Sequence, residues 1–454
     1  MNYKDRYSRR CFLRTSALAG VALSMGAAES RRAPRILLRG SWQSVNIGDI
    51  GHTPGALSLL QKYLPEAEVT LWAGEIGHGA RELLLKNFPR LQIVQGSLKD
   101  GQPGAPNLAA AWEWADLLLH GSGSGFPASH DVEAFLRATG KPAGVFGVST
   151  DPISGITTAP EGNTLARIRT QAAALPPTHL SAHYRYVLDH VAFMFTRDTI
   201  SRDYLQTQGV KTPILEFGPD TQLAMAARDD AKGLAYLQAN GLEKGKFICT
   251  IPRLRYTPYH KDPARKRKDT PEAIAKKDEI NARTVETDHA VLRELITRYV
   301  RETKNKVLAC PEMTYQIALA KEQLVDPLPA DVKRNVVWRD TYWLPDEAAS
   351  IYAQALAVIS LECHSPLIAL QAGTPTIHIR QPTDTCKGQM YPDLGLEHWF
   401  FEVEQTEGGQ LWSRIEAIHR GPAQARDKVK AVMLEVEKRQ QRMAEALRAA
   451  LPPA

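Results

Sequence analysis

Short apolar runs, each ending in a polar or glycine-rich elbow and followed by a helical stretch, recur along almost the whole chain. This alternation limits the fold more than any other feature. The runs are Arg35–Gly40, Val69–Trp72, Leu91–Val94, Asp116–His120, Ala143–Val148, a segment ending at Phe195, and Ile214–Phe217. After an interruption they resume at Phe247–Ile251, Lys306–Ala309, Val336–Trp338, Ala357–Ile359 and Thr376–Ile379. They lack the apolar/polar alternation of a strand with one wet face, so they predict strands buried on both faces. Strands of that kind, joined by helices, build parallel sheets covered on both sides. A charged helix over Asp229–Asn240 separates the two series. The expected architecture is α/β, with a first domain over 35–220, a linker over 221–246 and a second domain over 247–415. A charged helix over 420–450 is expected to pack across both.

In open parallel sheets ligands bind outside the carboxyl ends of the strands, so the elbows are where chemistry is sought. The most informative stretch is Ala357–Ile379. Its strand ends at Ser360, and Glu362-Cys363-His364-Ser365 form the elbow. Pro366 is expected to open a helix of about two turns, and Gly373 to end it. Glu362 and His364 then stand at a strand's carboxyl end as candidates for acid or base work. Arg253 and Arg255 follow another strand end and suit a carboxylate or phosphate. Lys387 lies in the loop after the next strand.

The first series has three elbows of interest. Asn46, Gly48, Asp49, Gly51 and His52 make a polar, glycine-punctuated helix start. It reads either as a site for an anion or sugar oxygen or as a helix capped by Asp49. Gly121 and Gly123 belong to a glycine-serine run over Gly121–Gly125, which either admits a ligand to backbone amides or is a linker. Arg197 ends a strand, and Asp198 beside it is placed to cap the next helix and to pair with Arg202. Arg197 therefore has a structural and a site reading. The charge-dense stretch 260–288, with Arg265-Lys266-Arg267-Lys268, reads as a mobile insertion over the cleft or as a solvated loop.

Several classes are excluded. No GxGxxG and no GxxxxGK occurs, which disfavours a dinucleotide or a P-loop triphosphate. Of five cysteines, Cys11 lies in the leader and Cys249 and Cys310 in apolar runs. Cys363 and Cys386 flank the elbow and are candidates for a disulfide in an oxidising compartment. Cysteine spacing offers no zinc site, and no metal or other cofactor is expected. Residues 1–28 carry Ser8-Arg9-Arg10-Cys11-Phe12-Leu13-Arg14, a weakly apolar stretch over Ala17–Met25, and Gly26-Ala27-Ala28. That order predicts a twin-arginine signal, export by the twin-arginine machinery, and a periplasmic or extracellular location. The formal net charge is +6, of which the leader supplies +4, leaving +2 for the rest. So small an excess argues against nucleic acid as a partner. No apolar run approaches the ~18 residues of a membrane span.

Taken in chain order, five segments resemble the polysaccharide pyruvyl transferase family. They are Asn46-Ile47-Gly48-Asp49 before a helix, and the aspartate-strand-glycine segment Asp116–Phe126. Next come Arg197-Asp198 with Ser201, then Gly218-Pro219-Asp220. The last comprises Ser360, Glu362, His364, Ala369, Gly373 and Pro375, with Lys387 beyond. The resemblance covers roughly Arg35 to Phe401. It implies two Rossmann-like domains facing a cleft, as in GT-B-like enzymes. It also implies transfer of the enolpyruvyl-derived group of phosphoenolpyruvate to sugar hydroxyls, here of an envelope or extracellular glycan, leaving a pyruvate ketal. His364 then acts as acid or base, and Arg197 binds the donor. Position at the strand ends adds Arg253, Arg255 and Lys387 on the donor side, and Asn46, Asp49, Gly121 and Gly123 on the acceptor side. Two features depart from the pattern. Glu362 replaces the family's arginine two residues before the histidine, and a carboxylate at ~4 Å opposes an anionic donor by about 1–4 kcal/mol. An exported chain also leaves the cytoplasm, where phosphoenolpyruvate is made. Three alternatives arise: Glu362 as a catalytic carboxylate in other chemistry, a non-catalytic exported glycan-binding protein, or a glycosyltransferase with a nucleotide-sugar donor.

Overall fold

The computed structural model describes residues 32–150, 152, 159, 161–262 and 269–452. The leader motif and the run Arg265–Lys268 lie outside the described residues. The first series of strands is β1 (Arg35–Gly40), β2 (Glu68–Ala73), β3 (Gln92–Gln95), β4 (Leu117–His120), β5 (Ala143–Ser149), β6 (Phe193–Thr196) and β7 (Leu215–Phe217). They form a parallel sheet in the order β7-β6-β5-β4-β1-β2-β3, with Gly123–Ser124 added against the end of β5. The second series is β8 (Phe247–Ile251), β9 (Lys306–Ala309), β10 (Val336–Trp338), β11 (Ala357–Ser360), β12 (Thr376–Arg380) and β13 (Phe400–Glu402). Its order is β10-β9-β8-β11-β12-β13, again parallel. Both sheets are doubly wound, and the strand order reverses between β1 and β4 and between β8 and β11. Crevices for ligands open at the carboxyl ends of such switch points.

The central strands are buried along their whole length, β4, β8, β11 and β12 among them. Their apolar runs are therefore required by layers packed on both faces. Five helices position the site or brace the lobes around it: α1 (Ile47–Tyr63), α2 (Thr199–Thr207), α3 (Pro271–Thr303), α4 (His364–Gln371) and α5 (Pro422–Ala450). In α5, Val429, Val432 and Val436 join the core of the second sheet, and Met443, Ala444 and Leu447 join that of the first. Each buried aliphatic side chain of this size contributes about 1.5–3 kcal/mol, so α5 ties the two lobes together. The described residues from 33 to 452 lie in one compact unit that contains both sheets.

Several local expectations are corrected. The charge-dense stretch before Asp288 is largely helix: α3 runs unbroken from Pro271, capped by Thr270, whose hydroxyl accepts the Ala273 N–H at 3.3 Å. Most of its charges belong to the wet face, Asp288 being a buried exception, while Ile280, Leu292, Leu295, Ile296 and Tyr299 face the core at helical spacing. Helix α4 begins at His364, two residues before Pro366. Cys363 and Cys386 are both buried thiols not joined by a disulfide, with Cys386 beside Ser201 Oγ at 3.5 Å. Among the described residues no helix is long and apolar enough to cross a membrane.

The lobes touch at the carboxyl ends of their strands. Asn46 and Met313 form an antiparallel bridge. On either side of it Ile47 N–H donates to the Glu312 carbonyl at 3.0 Å, and Thr314 N–H to the Val45 carbonyl at 3.1 Å.

Candidate active site

The elbow after β1 and the elbows after β8, β9, β11 and β12 converge where the lobes meet. Helix α1 lies along this junction, and three of its glycines mark close approaches. A Cβ on Gly51 would lie 2.6 Å from Gln222 Nε2, and one on Gly55 2.1 Å from the Thr221 carbonyl oxygen. A Cβ on Gly48 would lie 2.4 Å from the Cβ, Cγ and Nδ1 atoms of His364. Only a bare backbone fits, so the amino end of α1 rests directly on the first residue of α4.

His364 is oriented from behind. Its Nδ1 lies 3.1 Å from Glu312 Oε1, while Glu312 Oε2 accepts the Ser365 N–H at 2.6 Å. One buried carboxylate thus caps α4 and fixes the ring. Burial drives the imidazole's pKa well below its ordinary value, and the charge on Lys387 adds to the shift. His52, on the first turns of α1, meets His364 edge to face, with ring centroids 5.1 Å apart and planes at 89°. Its Nδ1 lies 2.9 Å from Asp220 Oδ1, and Asp220 Oδ2 accepts from Arg197 Nη1 at 2.6 Å. Burial opposes ionisation of Asp220, but His52 and Arg197 outweigh it and hold the carboxyl well below the usual range. Asp49 Oδ1 stands 3.7 Å from His52 Nε2.

On the other side of His364 lies a charged array. Glu362 Oε1 accepts from Gln316 Nε2 at 2.7 Å, and its Oε2 is 3.3 Å from Arg253 Nε. Arg253 also reaches Asp384 Oδ1 at 3.0 Å and Gln381 Oε1 at 2.9 Å. Lys387 Nζ lies 3.3 Å from the same Asp384 oxygen. Burial pushes Glu362 up to about 8; Arg253 pulls the other way and Glu312 adds to the rise. Arg253 is held charged more firmly than Glu362, because Asp384 gives it a second carboxylate, whereas Glu362 faces Glu312. The junction sets five carboxyl groups (Asp49, Asp220, Glu312, Glu362, Asp384) against three cations (Arg197, Arg253, Lys387).

The structure therefore brings His364, Glu362, Arg253, Lys387 and Asp49 into one centre. It places the other sequence candidates differently. Arg197 is wholly buried behind Asp220, with its Nε on Ser149 Oγ at 2.9 Å, so it supports the centre from one layer back. Arg255 is fork-bonded to Asp288 at 2.8 and 2.7 Å and held by Glu404 at 2.8 Å, so it is engaged by carboxylates rather than open to a donor. Asn46, not Asp49, caps α1: its Oδ1 accepts the Gly48 N–H at 2.7 Å. Asp198 caps α2 through the Ser201 N–H at 2.7 Å, but Arg202 pairs with Asp203 at 2.7 Å instead. Gly121 and Gly123 lie beside Arg39 and Trp42; a Cβ on Gly123 would meet Trp42 Nε1 at 3.0 Å. Trp42 itself stacks on His120 at 4.9 Å.

Sequence reasoning missed Glu312, Asp384, Gln316 and Gln381. Glu312 had a signal, since it follows the carboxyl end of β9 as Glu362 follows that of β11. A groove of about 720 Å³, lined by Leu57, Leu60, Val69, Leu91 and Trp114, lies at the opposite, amino end of the first sheet and touches none of this chemistry.

A sequence model described as polysaccharide pyruvyl transferase matches residues 46–381, from the cap of α1 to the glutamine that holds Arg253. The chain belongs to the polysaccharide pyruvyl transferase family. No curated protein sequence matched it at a significant level. Among solved structures it is similar to HepE of Anabaena in complex with UDP-glucose, at 10% identity and a TM-score of 0.52, covering 92% of this chain and 100% of that one. It is also similar to the UDP-GlcNAc 2-epimerase of Neisseria meningitidis bound to UDP-GlcNAc, at 12% identity and a TM-score of 0.50, with 92% and 100% covered. At such identities the likeness concerns the fold, and this member of the pyruvyl transferase family has the GT-B arrangement of two parallel-sheet lobes.

Proposed function

We propose that this chain is an exported transferase that adds a pyruvyl group, as a ketal, to hydroxyls of an envelope or extracellular glycan. The observation that carries the reading is the contact of Gly48 with His364. The family motifs of the two halves, far apart in sequence, meet there with Arg253 and Lys387 alongside. With Glu362 protonated, Arg253 and Lys387 share the single carboxylate of Asp384 and keep a net positive charge, which suits phosphoenolpyruvate or another donor with a carboxylate and a phosphate. Ketal formation joins two sugar hydroxyls to the donor's central carbon: one proton is delivered to the methylene carbon, each hydroxyl loses its proton, and the carbon–oxygen bond to phosphate breaks, phosphate leaving with the second proton. Glu362 stands on the donor side, against Arg253, as the acid. His364, backed by Glu312, and His52, backed by Asp220, mark the place where the acceptor hydroxyl is activated. The repulsion expected between Glu362 and an anionic donor does not arise while Glu362 is protonated, as burial favours. Export through the twin-arginine pathway is the reading of the leader.

A thermal-shift screen of the full chain tests the donor class, with phosphoenolpyruvate, pyruvate, nucleotide sugars and oligosaccharides as separate arms. Selective stabilisation by phosphoenolpyruvate is expected. Stabilisation by a nucleotide sugar instead would favour a glycosyltransferase, and stabilisation by oligosaccharides alone a glycan-binding protein.

A further inference from the structure

His52 and His364 come from different lobes, meet at the junction, and are only 2% and 6% exposed. In both rings Nε2 is buried without a hydrogen-bond partner. In both rings the other nitrogen is held by a buried carboxylate, Asp220 at 2.9 Å for His52 and Glu312 at 3.1 Å for His364. Those bonds place the proton on Nδ1 and leave a lone pair on each Nε2. A carboxylate behind the far nitrogen is how metal-binding histidines are oriented. Asp49 supplies a third donor. It lies one turn before His52 on the same face of α1, with Oδ1 3.7 Å from His52 Nε2. Two ligands on a tetrahedral Zn²⁺, with bonds of ~2.0–2.2 Å, stand about 3.4 Å apart. Asp49, His52 and His364 each offer one donor atom, all within 4.8 Å of one another. The surrounding charge does not oppose a cation: with Glu362 protonated, Asp49, Asp220, Glu312 and Asp384 still outnumber Arg197, Arg253 and Lys387. Arg380, the next cation outward, is already paired with Glu402 at 3.0 Å.

We propose that Asp49, His52 and His364 bind one divalent first-row cation, of the Zn²⁺ class, that bridges the two lobes. Two imidazoles and a carboxylate suit such ions, and three protein ligands leave a position open to a substrate oxygen. The inference rests on the proposed transfer reading only for the use of that open position; the ligand set stands on its own geometry. A second group, His130, Glu133 and His183, is less suited. Both ring nitrogens of His183 are engaged, by Glu133 and by Ser129 Oγ at 3.0 Å, and Glu133 also binds Arg137 at 2.9 Å.

The test is titration of the full chain, stripped with a chelator, with Zn²⁺ by calorimetry and with Co²⁺ by visible absorption. One equivalent is expected to bind, with His52→Ala and His364→Ala each weakening affinity at least 100-fold. Asp220→Asn, which leaves all three ligands in place but removes the carboxylate that orients His52 and pairs with Arg197, is expected to weaken it about 10–100-fold. His183→Ala is expected to change nothing. Asp49→Asn, at the most exposed ligand, is the variant least able to unfold the chain and is expected to weaken binding as well. Absence of saturable one-equivalent binding overturns the proposal, as does binding that survives His52→Ala and His364→Ala or is lost in His183→Ala. Donor-dependent transfer by the stripped chain would contradict a role for the cation and leave the transfer reading intact. Uptake of one equivalent by a chain with no transfer activity would support the site and count against the transfer reading.

Discussion

Replacing Gly48 by alanine puts a methyl carbon 2.4 Å from three atoms of His364. Carbon atoms in contact sit about 3.5–4.0 Å apart, so one side must retreat by more than an ångström. Neither is free to do so. The Gly48 amide is bound by Asn46 at 2.7 Å, and His364 is tied to Glu312 at 3.1 Å at the start of a helix whose next amide is held by the same carboxylate. Overpacking of this kind costs about 1–3 kcal/mol, and breaking the charged His364–Glu312 bond a further 1.5–3 kcal/mol or so. Gly48→Ala should therefore lose roughly 3–5 kcal/mol in urea unfolding at unchanged m-value. Paired with His364→Gly, which removes the obstructing side chain, it should show a coupling of more than about 1 kcal/mol. A Gly48→Ala protein within 0.5 kcal/mol or so of the parent would refute the contact on which the junction is built.

Three other outcomes are expected. Glu312→Gln should turn His364 to the opposite tautomer, because an amide that accepts the Ser365 N–H presents its N–H to Nδ1; nitrogen chemical shifts of the ring report this, and an unchanged tautomer contradicts it. Burial holds His120 and His378 down to about 3 and His289 to about 4, so the unfolded chain binds protons that the native one refuses. Their contribution to stability is complete above about pH 6.5 and is lost as the pH falls toward those values. Going from pH 7 to 5 should cost on the order of 2 kcal/mol per histidine, offset in part by Asp198 and Glu362, which burial pushes up to about 6 and about 8; a flat profile would be contrary. Asp288→Ala should cost about 3–5 kcal/mol by stranding the buried Arg255 guanidinium, and a loss below 1 kcal/mol or so would show that Glu404 alone holds it.

The strands were legible because each central one is buried on both faces and so is apolar throughout, as in β4 and β11. Helix α3 was not, since the wet face of a long helix has the composition of a solvated loop; its signal was the helical spacing of Ile280, Leu292 and Ile296. Gly48, Gly51 and Gly55 were read only in part, as loop punctuation. Their spacing along one face of α1 was the clue to close packing. Site residues at strand ends were recognisable by position, but pairing was not. Nothing local to Arg255 reveals that Asp288 and Glu404 engage it, and nothing local to Glu362 reveals Arg253 beside it. Glu312 is a lone acid after a strand, and its importance comes from two partners on α4, more than fifty residues away in sequence.

The central claim, that the junction of His364, Glu362, Arg253 and Lys387 transfers a pyruvyl group to a glycan, is tested most directly by turnover. The full chain is incubated with phosphoenolpyruvate and an envelope polysaccharide, while phosphate release and the ketal methyl resonance on the sugar are followed together. Equal amounts of both are predicted, with each falling at least 100-fold in His364→Ala while the protein remains folded. Phosphate release without a ketal, or transfer undiminished in folded His364→Ala, would contradict the claim.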